Sequence, residues 1–112
     1  NNDVLFWGDN LHGECGSNPN KRELNKPTKI WDNSDDVCDI KCGASHNIIK
    51  TIDNEYYSFG TNYEDELLLD IDGDWCVGPT QIIKSDLKYY TEFNGDIINI
   101  IPGDCMSYIL QK

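Results

Sequence analysis

The sequence predicts an all-β fold made of blade-like antiparallel sheet units of a β-propeller, and two observations carry that reading. The stretch from Val37 to Gly60 reads as three short strands in a row. Within it Cys38, Ile40 and Cys42 alternate with Asp39 and Lys41, the two-residue period of a strand with one drier face. The second observation is that this block repeats. Val4-Leu5-Phe6-Trp7-Gly8-Asp9-Asn10 aligns with Tyr56-Tyr57-Ser58-Phe59-Gly60-Thr61-Asn62 at an offset of 52, and Pro27-Thr28-Lys29-Ile30 aligns with Pro79-Thr80-Gln81-Ile82 at the same offset. Downstream, Ile97 to Gly103 aligns with Val37 to Gly43 at an offset of 60, the change coming from eight extra residues between Ile82 and Ile97. The two offsets add to 112, the chain length, so Lys112 leads in register to Asn1. A period near fifty residues with several strands per unit is the signature of propeller blades rather than of one closed sandwich.

Taken in order, Asn1 to Asp3 is a turn remnant and Val4 to Trp7 a strand, with Trp7 expected near the central channel or between sheets. Gly8 to Lys26 is a long connection in which Gly13 and Gly16 allow close backbone approach, Asn18-Pro19-Asn20 marks a turn, and Arg22 with Leu24 anchors the loop. Thr28 to Trp31 is a short outer strand, and Asp32 to Asp36 a tight acidic loop. Gly43 supplies the reversal after Cys42, His46 to Ile52 is the next strand, Asp53-Asn54 is a turn pair, and Tyr56 to Phe59 returns to Gly60. Leu67-Leu68-Leu69 reads as a helical turn or a cover for an apolar edge, followed by the acidic loop Asp70 to Asp74, and Gly78-Pro79 restarts the pattern. The insertion, Ser85 to Asp96, carries Tyr89, Tyr90 and Phe93 among polar residues. Such rings in a protruding loop suit a protein contact, and folding back over the sheet edge is the structural alternative.

These motifs resemble the regulator of chromosome condensation repeat family. The resemblance rests on Cys42-Gly43, His46, Asp53-Asn54, Phe59-Gly60 with Asn62, Trp7-Gly8 with Asn10, Gly13-Glu14-Cys15-Gly16, and Pro27 with Ile30. It implies a propeller, usually of seven blades, and a set of structural repeat positions at Trp7, Gly8, Asn10, Gly13, Gly16, Pro27, Cys42, Gly43, His46, Phe59, Gly60, Asn62, Pro79 and Gly103. The second copy departs from the pattern, with Asp65-Glu66-Leu67-Leu68 in place of the glycine-bounded segment, Pro102 in place of the Cys and Met106 in place of the His. Residues 1–112 are therefore read as one repeat segment of about two blades, a fragment of a larger propeller whose remaining blades, or other subunits, cover its outer sheet faces.

Charge and cysteine usage limit the partners. Twenty acidic against nine basic side chains give a net charge of −11, with the acids at Asp32 to Asp39, Asp53 to Glu55 and Glu64 to Asp74. Nucleic-acid binding draws its affinity from neutralised phosphates, so no direct nucleic-acid contact is expected from this segment. The acids read as solvated loop tips, with a docking face for a basic protein as the other reading. Cys15, Cys38, Cys42, Cys76 and Cys105 are odd in number and lack close-set pairs. Together with the absence of a signal peptide, a membrane span or a glycosylation sequon, they point to a cytoplasmic or nuclear setting.

No chemistry-bearing constellation survives inspection. Cys38, Cys42 and His46 have zinc-ligand side chains, but on strands they spread along a sheet face without a fourth ligand, so thiols packed between blades are expected instead. Asp70, Asp72 and Asp74 begin like a calcium loop, yet Trp75 stands where the sharp-turn glycine belongs and Gln81 where the closing carboxylate belongs. His46 has no nucleophile paired with it by motif and is expected to be fixed by backbone bonds, while His12 is expected to be exposed. The sequence thus predicts no metal, no cofactor and no enzyme. The function implied by the resemblance is a non-enzymatic protein-interaction scaffold, with guanine-nucleotide exchange on a small GTPase as the alternative.

Overall fold

The structure, a computed structural model, describes residues 3–16, 20, 22–31, 36–89 and 96–112, with the backbone alone at 30, 31, 88 and 89. Among the described residues eight strands follow one another: β1 (Val4–Asp9), β2 (Glu23–Trp31), β3 (Val37–Cys42), β4 (His46–Thr51), β5 (Tyr56–Thr61), β6 (Trp75–Gln81), β7 (Ile97–Pro102) and β8 (Ser107–Gln111). They form three antiparallel sheets, β1-β2, β3-β4-β5-β6 and β7-β8. The expected meander from Val37 to Gly60 is therefore present, and β6 extends it to four strands.

The pairing registers repeat at the same two offsets as the sequence. Leu5 faces Lys29 and Phe6 faces Thr28 in β1-β2, while Tyr57 faces Gln81 and Ser58 faces Thr80 in β5-β6, each residue displaced by 52. Ile40 faces Ile49 and Cys42 faces Asn47 in β3-β4, while Ile100 faces Ile109 and Pro102 faces Ser107 in β7-β8, each displaced by 60. Two bulges repeat as well, between Phe6 and Gly8 and between Ser58 and Gly60, and again between Val37 and Asp39 and between Ile97 and Asn99, while the shift between Val4 and Leu5 has no counterpart in β5-β6. Such agreement matters because a one-residue slip would turn every side chain to the opposite face. The β1-β2 pair thus corresponds to the last two strands of the intact sheet, and β7-β8 to its first two.

The intact sheet is packed on both faces. On one, Phe59 meets Phe6 of β1 edge to face, with ring centroids 5.1 Å apart. On the other, Ile48, Tyr56, Leu67, Leu68, Leu69, Ile82 and Leu87 join Ile100 of β7 in one buried cluster. Each such aliphatic or aromatic side chain removed from water contributes about 1.5–3 kcal/mol. Polar bonds reinforce this junction: the Tyr56 hydroxyl donates to the Ile98 carbonyl at 3.2 Å and the Ala44 amide to the Gly103 carbonyl at 3.2 Å.

Four features differ from expectation. The outer strand is longer than Thr28 to Trp31, because β2 begins at Glu23 and takes Pro27 into its length, which suits a proline on a strand with no outer neighbour. The insertion is not wholly a protruding loop: Lys84–Tyr89 is a 3-10 helix that seats Leu87 in the core. Cys38, Cys42 and Cys105 are exposed rather than packed, and Cys15 is buried. Trp7 is 60% exposed, because β1 has only β2 beside it and nothing among the described residues covers its outward face.

Candidate interaction surface

Two loops shape one end of the molecule, and each is organised by an asparagine. Asn10 ends β1's run; its amide donates to the Arg22 carbonyl at 2.7 Å and its Oδ1 accepts from the Cys15 amide at 3.0 Å. Asn62, 52 residues later, does the same for the next loop. Its amide donates to the Asp74 carbonyl at 2.7 Å, its Oδ1 accepts from the Leu67 amide at 3.2 Å, and its Nδ2 donates to the Gly73 carbonyl at 3.1 Å. Both asparagines are buried, so their amide groups replace the water that these backbone groups would otherwise need.

The apparent loss of the glycine-bounded segment in the second copy changes the residues and not the path. Gly13 and Gly16 sit at φ of 77° and 70°, and Asp65 and Leu68, at the same places 52 residues on, sit at 57° and 58°. A left-handed conformation costs a side-chain-bearing residue about 1–2 kcal/mol. That cost is met by burying Leu67, Leu68 and Leu69 in the core and by bonds from the Thr61 hydroxyl and the Glu64 amide to the buried Glu66 carboxylate. Burial pushes the Glu66 carboxyl up, but the hydrogen bonds it accepts from backbone amides and Thr61, with the His46 charge, bring it below the usual carboxylate range.

The two loops touch. The His12 ring lies edge on to Tyr63, with centroids 5.6 Å apart, and is tilted over Trp75 at 6.1 Å. Its Nδ1 lies 3.2 Å from Glu14 Oε1, and its amide donates to Glu14 Oε2 at 2.8 Å. Asn47 of β4 holds the same loop by donating Nδ2 to the Glu14 carbonyl at 2.5 Å. His12 is thus half-buried and engaged rather than exposed as expected. Tyr63, Trp75 and Leu11 remain exposed around it, and Glu64, Asp65, Asp70, Asp72 and Asp74 are exposed along the second loop. No Lys or Arg occurs between Lys50 and Lys84. The result is a set of aromatic rings on a stiff support with carboxylates around them.

His46 belongs to the opposite kind of environment. It begins β4, is buried, and places Nε2 3.0 Å from the Ser107 hydroxyl of β8, which donates onward to the Glu66 carbonyl at 2.7 Å. Nδ1 has no hydrogen-bond partner among the described residues. Burial holds the imidazole below its ordinary pKa, with the Glu66 charge and the Met106 carbonyl pulling the other way. A folded-state value below the unfolded one means that the unfolded chain takes up the proton first. The stability His46 supplies is therefore present above about pH 6.5 and is lost as pH falls below it. The midpoint of urea unfolding is expected to drop between about pH 7 and about pH 5, and His46→Gln should flatten that drop; an equal slope in both proteins would remove His46 as its source.

The remaining residues singled out in the sequence fall as follows. Cys42 and Cys38 lie on exposed positions of β3 whereas His46 is buried, and among the described residues no three His, Cys, Asp or Glu side chains converge as a metal site. Asp70, Asp72 and Asp74 line a loop whose backbone is held by Asn62. Pro27 and Pro79 lie in β2 and β6, Gly8 and Gly60 near the ends of β1 and β5, and Gly43 and Gly103 just beyond β3 and β7. Tyr90 and Phe93 lie outside the described residues, as does the side chain of Tyr89. The cluster of His12, Tyr63 and Trp75 was missed by the sequence reading, because it joins residues more than fifty positions apart.

One four-stranded antiparallel sheet with a two-stranded half-sheet packed against each face, and with loops gathered at one end, defines a segment of a β-propeller. The model of the regulator of chromosome condensation (RCC1) repeat matches residues 1–49. The fold of the chain is that of a segment of the RCC1 propellers. Yeast RCC1 (Prp20), in a crystal structure with Kap60, is similar at a TM-score of 0.72 and 22% identity over 98% of this chain. Prp20p from Saccharomyces cerevisiae, in a structure described together with its binding to Gsp1p and histones, is similar at 0.75 and 19% over 96%. Human WBSCR16 is similar at 0.74 and 21% over 97%. The chain spans 24%, 26% and 27% of those three chains, about a quarter of each. No curated protein sequence matches it.

Proposed function

We propose that this chain is part of a non-enzymatic protein-interaction scaffold of the RCC1 kind, and that its docking face is the loop end built by Leu11, His12, Tyr63 and Trp75. The observation that carries this reading is the exposed aromatic group fixed by Asn10, Asn62 and Asn47 and rimmed by carboxylates. Rings held rigid beforehand lose little entropy on binding and make large contacts, and surrounding acids favour a basic partner. Prp20p, with its described binding to histones, offers a parallel of that charge type. Burial pushes the Cys15 and Cys42 thiols above their ordinary range, the Glu14 and Asp9 charges adding to the effect at Cys15, which disfavours the thiolate at both. Among the described residues no helix is long and apolar enough to cross a membrane, and we place the protein's work in the cytoplasm or nucleus, where free thiols persist.

The test uses the chain with Tyr63→Ala and Trp75→Ala together, titrated against a lysine- and arginine-rich histone tail. Binding is expected to weaken at least about tenfold while the melting temperature stays close to that of the parent, because both side chains are exposed. Unchanged binding, or no binding by the parent, would remove the face as the docking site. A second reading, nucleotide exchange on a small GTPase, is favoured by the similarity to Prp20p and its described binding to Gsp1p. Release of labelled GDP from a panel of small GTPases, measured with the chain added, distinguishes the two; acceleration would move the proposal to exchange.

A further inference from the structure

We infer that Tyr63, His12 and Trp75 form a seat for the guanidinium group of an arginine carried in a basic segment of another protein. The inference rests on the docking face proposed above and names the side chain that this face selects. Both loops that build the seat lie within the chain, and its geometry is set between them. The His12 ring stands edge on to Tyr63 at 80°, with centroids 5.6 Å apart, and is tilted by 57° to Trp75 at 6.1 Å. One ring thus spaces two others, which remain 54% exposed at Tyr63 and 43% at Trp75. The repeat supplies a control for that exposure. Leu11, the counterpart of Tyr63, lies in the loop that the next loop packs against, yet it is 46% exposed. Glu23, the counterpart of Trp75, has the following sheet packed beside its own and is exposed as well. Position in the loop, rather than a missing neighbour, therefore turns both rings outward.

Chemistry decides the occupant. An aromatic face attracts a cation within about 6 Å of its centroid through the ring quadrupole, Trp most strongly. Carboxylates stand beside the faces: Glu64 and Asp65 follow Tyr63 directly, Asp74 precedes Trp75, and each is exposed. The Glu14 carboxylate is turned inward on His12, accepting from its amide at 2.8 Å and lying 3.2 Å from its Nδ1, so the outer acids are those that a ligand meets. An arginine matches both parts of the seat, because its plane lies flat on a ring while its N–H fork reaches a carboxylate. A lysine ammonium is a compact, strongly hydrated charge that meets the acids but gives up more water to sit on a ring. An anion is opposed by the acids, and no Lys or Arg lies between Lys50 and Lys84 to receive one. Asn10, Asn47 and Asn62 fix both loops, so the rings are in place before the ligand arrives.

The experiment titrates the labelled chain with glycine-serine peptides of equal length that carry arginine, lysine or trimethyl-lysine at the same positions, followed by the chemical shifts of the aromatic rings. The arginine peptide is expected to bind at least about fivefold more tightly than the lysine peptide. Trp75→Leu and Tyr63→Leu should each bring that ratio towards parity by weakening the arginine peptide. Glu64→Gln, Asp65→Asn and Asp74→Asn together should weaken both peptides alike and leave the ratio standing. All these side chains are exposed, and Asn suits the left-handed backbone of Asp65, so the melting temperature should stay that of the parent. Equal binding of the arginine and lysine peptides, a preference that survives both ring substitutions, or tighter binding of the trimethyl-lysine peptide would each overturn the inference. Those results leave the docking face standing as long as binding still falls when Tyr63→Ala and Trp75→Ala are combined, whereas binding of no peptide removes the inference and the face together.

Discussion

Replacing Phe59 with Ala is expected to cost about 3–5 kcal/mol, enough to unfold a large share of a chain whose total stability lies in the ordinary range of about 5–15 kcal/mol. Phe59 has no exposed surface and lies edge on to Phe6 at 5.1 Å, so its removal opens a cavity between β5 and β1 and breaks the contact that joins the first half-sheet to the intact one. Trp7 stands at the same place in the repeat, yet in the dilute single chain Trp7→Ala should change stability by no more than about 0.5 kcal/mol, because that ring is already in water. Urea unfolding of both variants at low concentration checks the contrast. Equal losses would mean that the two positions are not packed as the structure has them.

Gly60→Ala is the second large effect. Gly60 lies at φ of 112°, and a Cβ there would fall 2.4 Å from the Ser45 carbonyl oxygen and 2.8 Å from the His46 Cα, both on backbone that cannot swing aside. Strain and overlap together are expected to cost more than about 2 kcal/mol. Gly8, 52 residues earlier, has φ of 114° and nothing within 4 Å of a built Cβ. Gly8→Ala should therefore show the conformational part alone, about 1–2 kcal/mol. The difference between the two measured losses reports the closeness of β4 to β5 at that point, and no difference would contradict it.

Much of the fold was legible because a repeat displays its own register. The offsets of 52 and 60 showed which segments are equivalent before any geometry was known, and the twin asparagines Asn10 and Asn62 mark both loops in the sequence. What escaped the reading has physical causes. Leu87 lies in the inserted segment, where no second copy exists to show that it belongs in the core. Asp65 and Leu68 hide a glycine path, since their left-handed backbone is imposed by packing of the leucines rather than by local preference. Trp7 and the exposed cysteines read as packed residues because an aromatic or thiol in a strand gives no sign of whether a neighbouring sheet lies within the same chain. The cluster of His12, Tyr63 and Trp75 was invisible for another reason: Leu11 and Tyr63 are equivalent by the repeat, as are Glu23 and Trp75, but only the folded loops bring His12 of one to the rings of the other.

The tandem arrangement of sheets is tested most directly by cross-strand nuclear Overhauser contacts in the labelled chain. Backbone contacts are expected between Leu5 and Lys29 and again between Tyr57 and Gln81, and between Ile40 and Ile49 and again between Ile100 and Ile109. A set in which either second pair is missing, or is displaced by one residue from the first, would contradict equivalent sheets along this chain.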